Sequence, residues 1–96
     1  MTIIYSNQIQ DDLFDLEMFV LSNNGSKVTV TDIVKKIKSS VEDLEMFPCR
    51  HKVWDNTEYR FFNVSNYLVF YRFDEAAEKI IIERVIYSRR NIEDLL

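Results

Sequence analysis

The chain has 96 residues, with 16 acidic and 12 basic side chains for a net charge of −4, and 47% of it is hydrophobic and 14% aromatic. That length implies one domain, residues 1–96, and that apolar content can bury a core without disulfide or metal staples. One Gly and one Pro argue against disorder, and the single Cys49 excludes an intrachain disulfide or an all-cysteine metal cluster.

Met1 to Tyr5 carries no basic side chain, and acids follow at Asp11, Asp12 and Asp15, which is unlike a secretory leader. No run approaches the roughly 20 apolar residues of a membrane span. The expectation is a soluble, cytoplasmic protein with no membrane partner, which also fits the cysteine usage. The charge is uneven. Residues 1–49 hold eight acids and four bases, whereas residues 50–90 hold six acids and eight bases: Arg50, Lys52, Arg60, Arg72, Lys79, Arg84, Arg89 and Arg90. A net-acidic chain is a poor general binder of nucleic acid, although a local basic patch is possible.

Thr2-Ile3-Ile4-Tyr5 is β-branched and aromatic and predicts a short strand. Ser6 is placed to cap the helix that follows. From Asn7 to Leu21, Ile9, Leu13, Leu16 and Val20 recur at helical spacing, and Asp11, Asp12, Asp15 and Glu17 read as a solvated face. Ser22 to Ser26 is a turn cluster. A second helix begins between Ser26 and Thr31, where Thr29-Val30-Thr31-Asp32 has capping-box character, and it ends before Pro48. Its apolar stripe is Val30, Val34, Ile37, Val41 and Leu44. Residues 48–57 show no period and read as a loop.

The pattern then changes to strands. Glu58 to Val64 is one, Ser65-Asn66 is a two-residue turn, and Tyr67 to Phe73 is a second strand, apolar almost throughout and therefore central. Asp74 to Glu78 connects it to a third strand, Lys79 to Tyr87. Ser88 opens a short helical tail to Leu96. The order β-α-α-β-β-β predicts an α+β fold in which an N-terminal helical hairpin packs on an antiparallel sheet, followed by a short C-terminal helical tail.

Three arginines interrupt the strands. Parity groups Arg60 with Phe62 and Val64, Arg72 with Leu68 and Phe70, and Arg84 with Ile82 and Ile86. Two roles are open to them: packed stems with heads on acids such as Glu58 or Glu83, or a cationic sheet face that receives an acidic partner segment. Arg89-Arg90 stand at a strand end, which suits bidentate contacts to carboxylate or phosphate. Arg50, His51 and Lys52 cluster beside Trp54, and a lone loop histidine of this kind is more often solvated than catalytic. Tyr59, Tyr67 and Tyr71 read as sheet-packing residues. Phe14, Met18, Phe19, Met46, Phe47 and Trp54 fall outside the core stripes and suit a contact surface. Walker, Rossmann, nucleophile-elbow and zinc-finger patterns are missing, so neither cofactor nor metal is expected.

The run Glu58 to Phe73, with Tyr59-Arg60, the turn Ser65-Asn66 and the spacing Tyr67-x-x-x-Tyr71, resembles the signature of the RelE/ParE superfamily of bacterial toxins. Ile82 to Asn91 is similar to that family's last strand and basic turn, with Tyr87 and Ser88 where many members have His and Gly. A strand entering an acid-rich helix, and a second helix ending in Leu44-x-x-x-Pro48, extend the likeness over nearly the whole chain. The resemblance implies a small cytoplasmic toxin of a type II toxin-antitoxin system, held inactive in a hetero-oligomer with a cognate antitoxin. Two target classes accompany it: RelE-like members cut messenger RNA on the ribosome, and ParE-like members bind and inhibit DNA gyrase.

Metal-free RNA cleavage needs a group to activate the 2′-OH, cations for the phosphorane and an acid for the leaving oxygen. The paired lysines of RelE-like members fall near Arg60 and Phe62, or near Phe61 and Asn63. The family's arginine on the next strand falls on Leu68, and its C-terminal tyrosine near Leu96. Most of that set is absent, so the resemblance favours a ParE-like gyrase inhibitor. A ribosome-dependent endoribonuclease is the alternative and would rely on Arg60, Arg89, Arg90, Tyr87, His51 and Lys52. A degenerate, non-toxic antitoxin-binding member is the third reading. The candidates for antitoxin or target contact are Arg60, Arg72, Arg84, Arg89, Arg90 and Trp54.

Overall fold

The computed structural model describes residues 1–96. Strand β1 (Thr2–Tyr5) enters helix α1 (Gln8–Ser22), and α2 (Lys27–Glu42) runs back and tightens into a 3₁₀ turn at Asp43–Glu45. Strands β2 (Lys52–Val53), β3 (Arg60–Val64), β4 (Tyr67–Asp74) and β5 (Lys79–Tyr87) follow, and α3 (Ile92–Leu95) closes the chain. The strands form one sheet in the order β1-β5-β4-β3-β2.

The expected meander of β3, β4 and β5 is antiparallel. Two features lay outside the expectation. β1 joins the edge of β5 in parallel, Thr2 beside Lys79 and Tyr5 beside Ile82, so the sheet is mixed. Parallel neighbours require the chain to leave the sheet and re-enter it, and everything between β1 and β5 serves as that long connection. Part of the segment expected as a loop forms β2, with Lys52 and Val53 paired to Phe61 and Arg60. Two residues are too few to show a period.

The helical hairpin covers one face. Leu16, Ile37, Val41 and Leu44 pack on Val69, Tyr71, Ile80 and Ile82. Fully burying each such aliphatic side chain stabilises the fold by about 1.5–3 kcal/mol. The opposite face carries a smaller cluster of Leu68, Phe70, Ile86 and Ile92, closed by Trp54, Tyr59, Phe61 and Leu95. β4 is therefore buried on both sides, as its unbroken apolar run predicts. A β-bulge in β5 breaks the simple alternation: Phe70 opposes Arg84 while Tyr71 opposes Ile82. Ile82 thus faces the helices and Ile86 faces the tail, and Arg84 shares a side with Ile86 alone.

Two caps differ from expectation, and that of α2 lies at the early limit of its expected start. Ser6 does not cap α1: its hydroxyl donates to the Glu83 carbonyl at 2.8 Å, at the bulge. The cap of α2 is Ser26, whose hydroxyl accepts from the Thr29 N–H at 3.3 Å, one turn before the capping-box residues. Asn91, not Ser88, precedes α3. The β3–β4 turn puts Ser65 at φ 49° and Asn66 at φ 71°, the double left-handed geometry of a tight hairpin, and the Asn63 side chain accepts the Asn66 N–H. At the α1–α2 turn the Gly25 N–H bonds the Val20 carbonyl at 2.9 Å. A methyl group on Gly25 would stand 2.7 Å from that carbonyl oxygen and nearer still to the Val20 side chain, so the approach requires glycine. No helix is long and apolar enough to cross a membrane.

Candidate functional site

Position 12 stands one turn after Ile9 and one turn before Leu16, which puts an aspartate on the buried stripe of α1 rather than on its solvated face. Asp12 is 5% exposed. It accepts from Arg84 Nε and Nη2, both at 2.9 Å, and from the Val85 N–H at 2.8 Å. β1 pairs with β5 only as far as Ile82, so beyond it the carboxylate supplies the acceptor that a neighbouring strand would have supplied. The hydrogen bonds to Asp12 push the Arg84 pKa up, outweighing the burial that acts the other way. Arg84 Nη1 reaches on to the Leu95 carbonyl at 2.6 Å. One guanidinium thereby ties α1, β5 and the C-terminal helix together.

The other strand arginines are also engaged. Arg60 Nη1 donates to the His51 carbonyl at 2.8 Å and the Cys49 carbonyl at 3.3 Å. Tyr71 Oη donates to the Pro48 carbonyl at 2.7 Å, so two side chains from the sheet pin the segment before β2. Burial pushes the Tyr71 pKa up. The pinned segment lays His51 over Phe62, with ring centroids 4.6 Å apart, and burial, then the Arg50 charge, push the His51 pKa down. Arg72 bridges Glu83 at 3.4 Å and Glu58 at 3.8 Å, the two acids anticipated as partners for the strand arginines. Trp54 stands edge-on to Phe61 and Phe70 at 5.1 and 5.4 Å and completes the second cluster.

Arg89 and Arg90 differ. Both are exposed in the turn after β5, and the chain's ion pairs fall on Arg72 and Arg84 alone. Arg90 borders a cleft with Asp15, Phe19, Tyr67 and Tyr87. Tyr87 lies between Phe19 at 4.7 Å and Tyr67 at 5.5 Å. The Tyr67 hydroxyl is buried without a hydrogen-bond partner, and burial, then Tyr87, raise its pKa. A cation beside an aromatic cleft can hold a carboxylate or phosphate while the rings take apolar groups.

Apart from Arg72, the candidate residues thus gather in two places. Tyr87, Arg84 and Arg90 share the cleft at the end of β5, with Arg89 beside it in the turn, whereas His51, Lys52, Trp54 and Arg60 surround β2. Tyr87 opposes Tyr67 and Arg60 opposes Tyr71, so the groups lie four residues apart along β4, roughly 13 Å at strand rise. No three His, Cys, Asp or Glu side chains converge as a metal site would require.

The model of the ParE toxin of the type II toxin-antitoxin system parDE matches residues 3–92. The chain belongs to the ParE toxin family. This ParE-family chain is similar in fold to a chain of the chromosomal ParDE system from P. aeruginosa, at TM-score 0.75 and 14% identity over 91% of this chain and 95% of that one. It is also similar to a chain of the intact E. coli RelBE toxin-antitoxin complex, at TM-score 0.64 and 9% identity over 93% and 98%. A chain of the RelB-RelE antitoxin-toxin complex from Methanococcus jannaschii matches at TM-score 0.60 and 19% identity over 97% and 98%. A search of curated protein sequences finds no match. A ParE/RelE-type toxin of a type II system is therefore the class of this chain.

The sequence reading missed Asp12, although its place between Ile9 and Leu16 was the available signal. It included Phe19 among contact residues but had no means of pairing it with Tyr87, because their sequence separation exceeds any helical or strand period.

Proposed function

We propose that this chain inhibits growth by binding, in the ParE manner, with DNA gyrase as its target and a cognate antitoxin as its neutraliser. The observation that carries this reading is the engagement of all three strand arginines. Arg60 serves backbone carbonyls, Arg72 serves Glu83 and Glu58, and Arg84 serves Asp12 and Leu95. A catalyst of RNA cleavage needs several cations preorganised around one phosphate. Here the remaining candidates lie at two separate ends of the central strands. Arg89, Arg90 and the Phe19–Tyr87 cleft are the contact surface for an acidic antitoxin segment. The antitoxin reading draws on the ParDE and RelBE complexes that share the fold.

The test is a supercoiling assay with purified gyrase and relaxed plasmid. The chain should block supercoiling, and the protein encoded beside it, expected to be small and acidic, should restore it. Cuts in messenger RNA on programmed ribosomes, lost in Arg89→Ala or Arg90→Ala, would replace this reading with the ribonuclease one. Activity in neither assay, with the partner still bound, would identify a non-toxic antitoxin binder.

A further inference from the structure

Helix α1 carries two apolar stripes. Ile9, Leu16 and the half-buried Leu13 and Val20 face the sheet. Phe14, Met18 and Leu21 follow at spacings of four and three on the opposite side, and they are 61%, 48% and 36% exposed. Surface helices of globular proteins ordinarily place charges there. At 100° per residue, Asp11 and Asp15 lie along one border of the outer stripe and Glu17 along the other. α1 contains four acids and no base, and the first basic side chain of the sequence is Lys27, beyond the turn. Asp12 is engaged by Arg84, whereas Asp11 and Asp15 are exposed and Glu17 is half-buried.

We infer that the outer face of α1 is a docking surface for an amphipathic helix whose apolar stripe is bordered by Lys or Arg. Charge selects this occupant. A second copy meeting it α1 to α1 would set acids against acids, with like charges repelling across the contact. The lysine-bearing α2 of a second copy, with Lys27, Lys35, Lys36 and Lys38, exposes only Val28 among its large apolar side chains, so it offers no matching stripe. Asp15 stands between this face and the Arg90 cleft, and an acidic segment seated in that cleft offers no cation to Asp11 or Glu17. The basic-bordered helix is therefore a contact distinct from that segment. Three apolar anchors at i, i+4 and i+7 are the pattern that a helix-in-groove or helix-on-helix contact reads.

The probe is a designed 18-residue helix with a leucine stripe bordered by lysines, titrated into the purified chain by fluorescence anisotropy. Two controls accompany it: the same peptide with glutamates for lysines, and a scrambled peptide of identical composition with no stripe. The lysine-bordered peptide should bind at least tenfold tighter than either control, and added salt should weaken it. Phe14→Gln and Met18→Gln should each reduce binding at least tenfold with little change in the thermal midpoint, since both side chains are about half exposed or more and glutamine is a good helix former. Equal binding of the scrambled peptide would show charge alone at work and overturn the proposal. So would tighter binding of the glutamate peptide, or sedimentation showing that the chain dimerises through this face. Amide shifts of the unaltered chain provide an independent reading: they must move along α1, and movement confined to the sheet would also overturn it.

Discussion

The strand arginines and the turn arginines carry the same head group, and the fold treats them oppositely. Arg60, Arg72 and Arg84 sit where the strands bury their stems, and each head has found carbonyls or carboxylates within the chain. Arg89 and Arg90 sit in the turn after β5, where water keeps a guanidinium without penalty. A cation drawn into a sheet must be paired or it opposes folding. The strand set therefore became scaffold, and the turn set remained available to a partner. Position relative to the sheet, rather than residue type, separates structural from functional arginine here.

The largest effect should come from breaking the most buried of these pairs. Asp12→Ala strands the Arg84 head and orphans the Val85 N–H, and removing one partner of a buried pair costs about 3 kcal/mol or more. Urea melts should show that loss as a lower midpoint, and amide exchange should show α3 opening, since Arg84 also holds the Leu95 carbonyl. The double variant Asp12→Ala/Arg84→Met removes both charges and should recover part of the loss. If Asp12→Ala melts like the parent chain, the division between scaffold and contact arginines fails at its strongest point.

Arg60→Ala should follow. It removes the donor to two carbonyls, and a hydrogen bond to a charged group contributes about 1.5–3 kcal/mol. The loss should sit near the low end of that range, because one of the two bonds is long and the head is partly exposed. Proteolysis should then reach the segment Pro48–His51 ahead of global unfolding, although Tyr71 still holds the Pro48 carbonyl.

Most of the architecture is legible in the sequence. The hairpin, the meander and the double burial of β4 follow from a period of 3.6, a period of 2 and an unbroken apolar run. What escaped prediction was non-local. The parallel place of β1 depends on where a four-residue strand returns to, which no local pattern encodes. The bulge moved Ile82 and Ile86 to opposite faces, because one extra residue reverses every parity argument beyond it. Ser6 looked like a cap by its neighbours, yet its hydroxyl answers to Glu83, 77 residues away. The candidate site was legible as a roster of cations but not as an assignment of roles. Glu58 and Glu83 were named as acids for the strand arginines and both engage Arg72. The partner of Arg84 was misplaced on a solvated face because acids on a helix usually lie there.

A smaller, pH-dependent effect should separate the two regions again. Burial over Phe62 and the Arg50 charge hold the His51 pKa below its ordinary 6.5. The unfolded chain therefore takes up a proton at a pH where the folded chain does not, and stability should fall as pH drops below about 6.5 toward the folded value. His51→Gln should flatten that part of the stability profile. The turn arginines should be insensitive to it.

The smallest effect on folding should come from Arg89→Ala and Arg90→Ala. Neither guanidinium takes part in an ion pair of the chain, and surface substitutions of this kind usually change stability by less than about 0.5 kcal/mol. Binding is where they should register. If the cleft beside Arg90 receives an acidic partner segment, loss of either arginine should weaken partner capture at least tenfold while the urea midpoint stays in place. Arg90→Lys should recover less than full affinity, because an ammonium cannot reproduce a bidentate fork. A variant that melts normally and still captures its partner at full strength would show that these two side chains are merely solvated. The partner's contact would then have to lie elsewhere on the molecule.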